Sequence, residues 1–297
     1  MQNLHSEQVD NHSNCLICDS QNLVDLQGYE SAHLSKCNNC GFVFCKRIPT
    51  IQELEEHYKG YGRNDYLSPI TINRYNELLD EFEKYRSTNR ILDVGCGIGY
   101  FLDEAKKRGW EVYGTEYTDE AVEICTEKGH SIQKGKLDPN NYEEGYFDVI
   151  TSFEVLEHIN NPQEEIQNFH SILRQGGLVY LTTPNFNSML RYRLKSEYNV
   201  ICYPEHLSYY TPKTIHRLFK NSGFKKKKIQ TTGYSRTRLK TSQNKSDQAF
   251  ISEKSDDEQI RNKIEKSSVL QLAKNTVNLG LTVLGTGDSL KIRYEKK

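Results

Sequence analysis

Apolar residues recur at Ile72, Tyr75, Leu78, Leu79, Phe82 and Tyr85, the spacing of a helix with one packed face. From Arg90 the period changes. RILDV is a short apolar run followed by turn residues, and Tyr100–Arg108 suits a helix ended by Gly109. WEVYGTE reads as a second strand, and Thr118 or Asp119 caps a helix that reaches Lys128 and stops at Gly129. A short strand is expected around Ser131–Lys134 and a longer one at FDVITSF. Pro162 opens a helix whose apolar face is Ile166, Phe169, Ile172 and Leu173, with Gly176-Gly177 as its end. LVYLTT follows as a strand. Strands and helices alternating at these lengths predict an α/β fold, a parallel sheet covered on both faces.

Outside this region the pattern is weaker. IQELEEHY reads as a short helix, followed by the tyrosine-rich YKGYGRNDY. TPKTIHRLFKNSGF reads as a capped helix leading to a strand from Phe224, with Lys225–Lys228 charged and solvated at a sheet edge. Ile264–Leu284 regains apolar residues and is expected to be a packed helix rather than a membrane-surface one. SLKIRYEKK alternates like a final strand. The chain divides into a flexible tail (1–14), a metal-held knuckle unit (15–47), a helical cap or linker (48–88), the alternating core (89–234), a polar mobile loop or partly polar helix (235–262), and a closing helix and strand (263–297). No internal repeat is visible.

Composition narrows the classes. The 297 residues carry a formal net charge of −1, so no global charge draws the chain to nucleic acid or acidic lipid. No segment has the length and apolarity of a membrane span, and the polar N-terminus lacks a secretion signal, so a cytoplasmic location is expected. Eight cysteines in a reducing compartment need a role other than disulfides. Cys15 and Cys18 form one C-x2-C pair and Cys37 and Cys40 a second, with Gly41 after it. Four thiolates so spaced match the tetrahedral demand of Zn2+, and a closed four-sulfur site serves folding rather than catalysis. Cys45, Cys96, Cys125 and Cys202 are expected as buried thiols, although Cys96 lies in a glycine loop.

That loop is ILDVGCGIGYF. Its glycines, Gly95, Gly97 and Gly99, follow Asp93 in a G-x-G-x-G pattern that differs from the G-x-G-x-x-G dinucleotide fingerprint. A carboxylate at the strand's end repels pyrophosphate and accepts from an ammonium group. The ligand indicated has a cationic amino-acid part, and S-adenosylmethionine is one. Glu116, ending the second strand, suits the two hydroxyls of a ribose.

With these motifs in place, Arg90 to about Phe224 resembles the class I S-adenosylmethionine-dependent methyltransferases. The resemblance rests on ILDVGCGIGYF, YGTE, FDVITSFEVLEHINNP and LRQGGLVYLTTPN. It implies a Rossmann-like seven-stranded sheet with an antiparallel last strand. It implies that Asp93, Gly95, Gly97 and Gly99 surround the methionine part and that Glu116 holds the ribose. Phe153 and Glu154 would line the cofactor cleft, and Leu137 would lie near the adenine. Lys136 stands where an acid often meets the adenine amine, and Asp138 is the substitute. A narrower resemblance adds CLICDS, CNNCGFVF, PEHLSYYTPKTIHRLFKNSGF and GTGDSLKIRYEKK. It is to the zinc-ribbon methyltransferases of bacterial surface-polysaccharide and sugar modification. Their nucleotide-sugar C-methylating members carry a much longer C-terminal domain, so O-methylation is the expectation here.

A hydroxyl acceptor benefits from a general base. His158 in EVLEHI and His206 in YPEHLSYYT are the candidates, each preceded by a glutamate (Glu157, Glu205), with backbone bracing as the alternative role. Tyr58, Tyr61, Tyr66, Tyr203, Tyr209 and Tyr210 are candidates for stacking on a sugar or ring, or for packing. The expected partner is a small-molecule or glycan acceptor. An RNA methyltransferase is the rival enzyme reading, opposed by the neutral charge and by TTPNF after the fifth strand. An inactive cofactor-binding protein with a zinc ribbon is the rival from another class.

Overall fold

A computed structural model describes residues 10–58, 66–244 and 252–297. The first strands are short. β1 (Leu23–Asp25), β2 (Leu34–Cys37) and β3 (Val43–Cys45) pair antiparallel. Helices α1 (Ile51–Tyr58) and α2 (Pro69–Phe82) follow. The Ser68 hydroxyl accepts from the Ile70 amide at the start of α2, and Pro69 sits in the first turn, where no amide is needed. The alternating region forms β4 (Arg90–Val94), α3 (Tyr100–Lys107), β5 (Glu111–Glu116), α4 (Asp119–Glu127), β6 (Ser131–Lys134), β7 (Phe147–Phe153), α5 (Pro162–Ile172) and β8 (Leu173–Pro184). After it come α6 (Met189–Leu194), β9 (Ser208–Tyr209), α7 (Pro212–Asn221), β10 (Phe224–Thr232), α8 (Arg236–Ser242), α9 (Asp256–Glu265), α10 (Ser268–Leu284) and β11 (Ser289–Lys296).

Seven of these strands make one sheet in the order β10-β11-β8-β7-β4-β5-β6. β11 runs antiparallel to both neighbours, and the pairs from β8 to β6 are parallel. This is the expected α/β sheet with its antiparallel final strand. On one face Leu92, Ile150, Val179 and Ile292 pack on Phe169 of α5 and Phe219 of α7. On the other, Ile91, Val149 and Tyr180 pack on Leu79 and Phe82 of α2 and Phe101 of α3. Each such side chain stabilises by about 1.5–3 kcal/mol when fully buried. Asp148, fully buried, accepts from the Ser87, Thr88 and Asn89 amides at 2.8, 2.8 and 2.7 Å and from Arg174 at 2.5 Å. Burial opposes its charge, but Arg174 and these amides outweigh burial and hold the carboxyl below its ordinary range. The turn entering β4 is thereby tied to the first residues of β7.

Several expectations need correction. Residues 1–9 lie outside the described residues, but 10–14 are tied down. His12 donates its amide to the Lys46 carbonyl (2.8 Å), Ile48 donates to the Asp10 carbonyl (2.9 Å), and His12 Nε2 lies 2.8 Å from Asn160 Oδ1. Helix α5 ends at Ile172 rather than at the glycine pair, because Leu173 already pairs with Phe147 across the sheet. Residues 174–177 then bulge before pairing resumes at Leu178 with Val149. Within 235–262, expected as a mobile loop or partly a polar helix, residues 245–251 lie outside the described residues, and α8 and α9 are polar helices. The hydroxyls of Ser235 and Ser255 cap them, and Asp257 accepts from the Arg236 amide at 2.8 Å. Finally, α10 is not a packed apolar helix. Its polar side docks, through Asn278 on the Gly233 amide (3.0 Å) and Thr282 on the Thr231 carbonyl (2.9 Å), and Leu281 is its one buried residue. Lys225–Lys228 do lie exposed on β10, at the sheet edge.

Candidate active site

The loop from β4 to α3 turns through three left-handed glycines, Gly95 (φ 73°), Gly97 (φ 53°) and Gly99 (φ 81°). A Cβ on Gly95 would stand 2.4 Å from Val155 Cγ2, and one on Gly99 would stand 2.9 Å from Cys125 Sγ. At Gly97 a Cβ would meet nothing within 4 Å, so there the backbone lies open to a ligand. The Gly97 amide donates to Glu116 Oε2 at 3.0 Å, while Glu116 Oε1 accepts from the Tyr117 and Thr118 amides at 2.8 and 3.0 Å. The carboxylate at the end of β5 is thus fixed against the glycine loop.

Asp93 is 2% exposed near the end of β4 and accepts from Thr151 Oγ1 of β7 at 2.7 Å. Burial pushes its carboxyl up to about 7, with Glu116 adding to the rise. Phe153, at the end of β7, packs on Phe101 and Tyr75 with ring centroids 5.2 and 5.6 Å away. Glu154 follows with φ 54°, a strained value for a non-glycine residue, and its amide donates to the Thr182 carbonyl at 3.0 Å. These residues gather at the carboxyl ends of β4 and β7, where the strand order reverses, the usual place of the ligand crevice in such sheets. Leu137 does not join them as a side chain. Its side chain, 1% exposed, packs in the core. Asp138 is committed to its own turn, accepting from the Asn140 amide at 3.0 Å.

Beyond β7 the histidines come together. His158 and His206 lie edge to face with ring centroids 4.8 Å apart. His206 Nδ1 is 2.7 Å from the Val200 carbonyl and His158 Nδ1 is 2.8 Å from the Glu205 carbonyl. A carbonyl only accepts, so each Nδ1 carries the proton; His206 Nε2 is then the lone-pair nitrogen, while the His158 ring also hydrogen-bonds the Glu154 backbone. Burial drives both rings toward the neutral form, with His206 lowered to about 4, where His158 adds to the effect. Glu157, 2% exposed, accepts from Thr183 Oγ1 at 2.9 Å, and burial and then Glu154 push its carboxyl well above the usual range. Ligand atoms of Glu157, His158 and His206 lie within 4.8 Å of one another. Of the tyrosines, Tyr209 and Tyr210 are buried packing residues, and Tyr203 and Tyr66 donate to Glu53 (3.1 Å) and Glu258 (3.3 Å). Tyr61 and the Tyr58 side chain lie outside the described residues.

The four N-terminal cysteines converge. Cys15 and Cys40 sulfurs are 3.5 Å apart, Cys18 and Cys37 sulfurs 3.6 Å, and all four lie within 4.8 Å of one another. A zinc ion with sulfur bonds of about 2.3 Å spaces its ligands about 3.8 Å apart, so the donor set fits. Sequence reasoning missed how this unit meets the crevice. β9 pairs with β3 as a fourth strand, the Cys45 amide donates to the Leu207 carbonyl, and the Leu207 amide donates to the Glu157 carbonyl, both at 2.8 Å. His206 therefore sits on a strap between the cysteine unit and the crevice. It also missed Thr151 under Asp93 and Tyr75 over Phe153. Thr151 alternates like any strand residue, and Tyr75 reads as one more apolar helix position.

The description "Methyltransferase domain" matches residues 69–229. The chain is 28% identical over 128 residues to a ubiquinone biosynthesis O-methyltransferase of Nitrosomonas europaea, covering 41% of this chain and 53% of that one. It is 31% identical over 132 residues to a protein of the same name from Shewanella halifaxensis, covering 41% and 52%. The chain thus spans about half the length of these curated relatives. Among solved structures, an S-adenosylmethionine-dependent methyltransferase from Archaeoglobus fulgidus superposes with a TM-score of 0.52 at 19% identity, over 82% of this chain and 98% of that one. Phosphoethanolamine N-methyltransferase 2 of Haemonchus contortus, in complex with S-adenosyl-L-methionine, gives 0.53 at 18% identity over 86% and 61%. At these identities the structures speak for the fold.

Proposed function

The chain belongs to the methyltransferase-domain family, and from that premise we propose that it moves a methyl group from S-adenosylmethionine to a hydroxyl oxygen of a small acceptor, a sugar or other glycan precursor. The observation that carries the choice of oxygen is His206, a neutral imidazole whose Nδ1 is engaged by the Val200 carbonyl, leaving Nε2 as the lone-pair nitrogen. The names of the curated relatives, O-methyltransferases, support the same atom.

When bound, S-adenosylmethionine supplies a methyl already activated on a positively charged sulfur. The chain's part is placement and proton handling. Asp93 would accept from its ammonium, Gly97 leaves room for close backbone approach, and Glu116, fixed by the Gly97 amide, would accept from its ribose hydroxyls. Phe153 and Glu154 form the wall between this ligand and the acceptor. His206 Nε2 receives the acceptor's hydroxyl proton, worth about 10²–10⁴-fold in rate. His158 donates to the Glu205 carbonyl, which holds the neighbouring His206 in place, and is the alternative base. Cys15, Cys18, Cys37 and Cys40 hold a structural zinc.

The test is transfer of labelled methyl to nucleotide sugars, lipid-linked glycans, RNA and protein, each presented to the zinc-loaded protein. Label in a sugar or glycan fraction is expected. Label in RNA or protein alone, or cofactor bound without transfer to any fraction, overturns the reading.

A further inference from the structure

Helix α10 meets the protein with its polar side and solvent with its apolar side. Gln271 donates to the Glu265 carbonyl at 3.0 Å, Lys274 faces Glu265 at 3.5 Å, and Asn278 and Thr282 bond the end of β10. At about 100° per residue, the six most exposed apolar residues of the helix fall on the opposite half of the cylinder. That half is apolar and uncharged. Val269, Leu272, Val277, Leu279, Val283 and Leu284 are 76, 68, 60, 65, 78 and 71% exposed. Together they present roughly 700 Å², more than the ~300–600 Å² largest patch of a typical monomer and close to the ~800 Å² per partner of a standard interface.

We propose that this face is a homodimer seam, two copies of α10 pairing antiparallel about a two-fold axis through Thr276. Three small residues, Ala273, Thr276 and Gly280, run along the middle of the face and permit close approach of two helices. Under that axis the pattern is self-complementary. Leu272 lies opposite the partner's Gly280, Ala273 opposite the partner's Leu279, and Val269 opposite the partner's Val283. In these three pairs each large residue meets a small or equal one, as an isologous contact requires. A lipid surface suits the face less well. Helices that lie on membranes rim the apolar face with basic residues and carry aromatics, whereas α10 has no aromatic and its single cation, Lys274, turns inward to Glu265.

Sedimentation of the 297-residue chain at micromolar concentration is expected to give twice its 34.5 kDa mass. The double variant Leu272→Glu, Leu279→Glu, which touches only exposed positions, is expected to weaken self-association at least a hundredfold with unchanged circular dichroism. Thr276→Cys on the axis is expected to yield a covalent dimer under mild oxidation, while Val269→Cys does so only when mixed with Val283→Cys. A wild-type monomer under these conditions overturns the proposal. So does a dimer that persists in the double glutamate variant, or a monomer that binds phosphatidylglycerol vesicles through the same residues.

Discussion

Asp93 shows how one side chain sets a pH dependence. Burial favours its neutral form and raises it to about 7, so the ligand-free protein holds a proton there below that pH. A cationic ammonium needs the carboxylate. Affinity for S-adenosylhomocysteine, followed by calorimetry, is therefore expected to fall by up to tenfold per unit as pH drops below about 7 and to level off above it. An affinity flat from pH 5 to 8 contradicts the pairing. His206→Ala is expected to lower kcat by about 10²–10⁴-fold with cofactor affinity within threefold, since its ring acts on the acceptor and not on the cofactor. A loss under tenfold removes it as the base. Gly95→Ala forces a Cβ to 2.4 Å from Val155 at a left-handed φ, at a cost of about 1–3 kcal/mol, visible as a lower urea midpoint. Asp93, Glu116 and the glycines were legible because a short local motif carries them. Leu137 was not, because burial in a core depends on elements far away in the chain.

At the scale of elements, the cysteine unit is part of the wall that holds His206. The four-stranded sheet β1-β2-β3-β9 ends in the strap that follows the histidine. Cys37→Ser, or zinc chelation, is expected to free the amides of Ser208 and Tyr209 to hydrogen exchange while those of β4 and β7 stay protected. Turnover should fall through the same loss. Exchange unchanged at β9 contradicts the coupling. Two consecutive residues of β9 carry no period, so this pairing had no sequence signal. The strands β4, β5 and β7 had one, being apolar runs bounded by turn residues. For α10 the helical period was legible, but periodicity marks an apolar face without telling what covers it.

At the scale of the molecule, the sheet order brings the ends of β4, β5 and β7 to one crevice, and the antiparallel β11 closes the far side beside Pro184. Among the described residues no helix is long and apolar enough to cross a membrane. On the proposed reading the cofactor meets the ends of neighbouring strands, which are common to the fold, and the acceptor meets the loops after β7 and before β9, which are this chain's own. The proposed activity is one event, methyl transfer to oxygen. The most direct measurement is incubation of the zinc-loaded protein with methyl-¹³C S-adenosylmethionine and the sugar and glycan fractions, followed by carbon NMR of the product. A new enriched methyl bonded to oxygen, lost with His206→Ala, is expected. An enriched methyl on nitrogen or carbon, or none while the cofactor binds, would contradict the proposed activity.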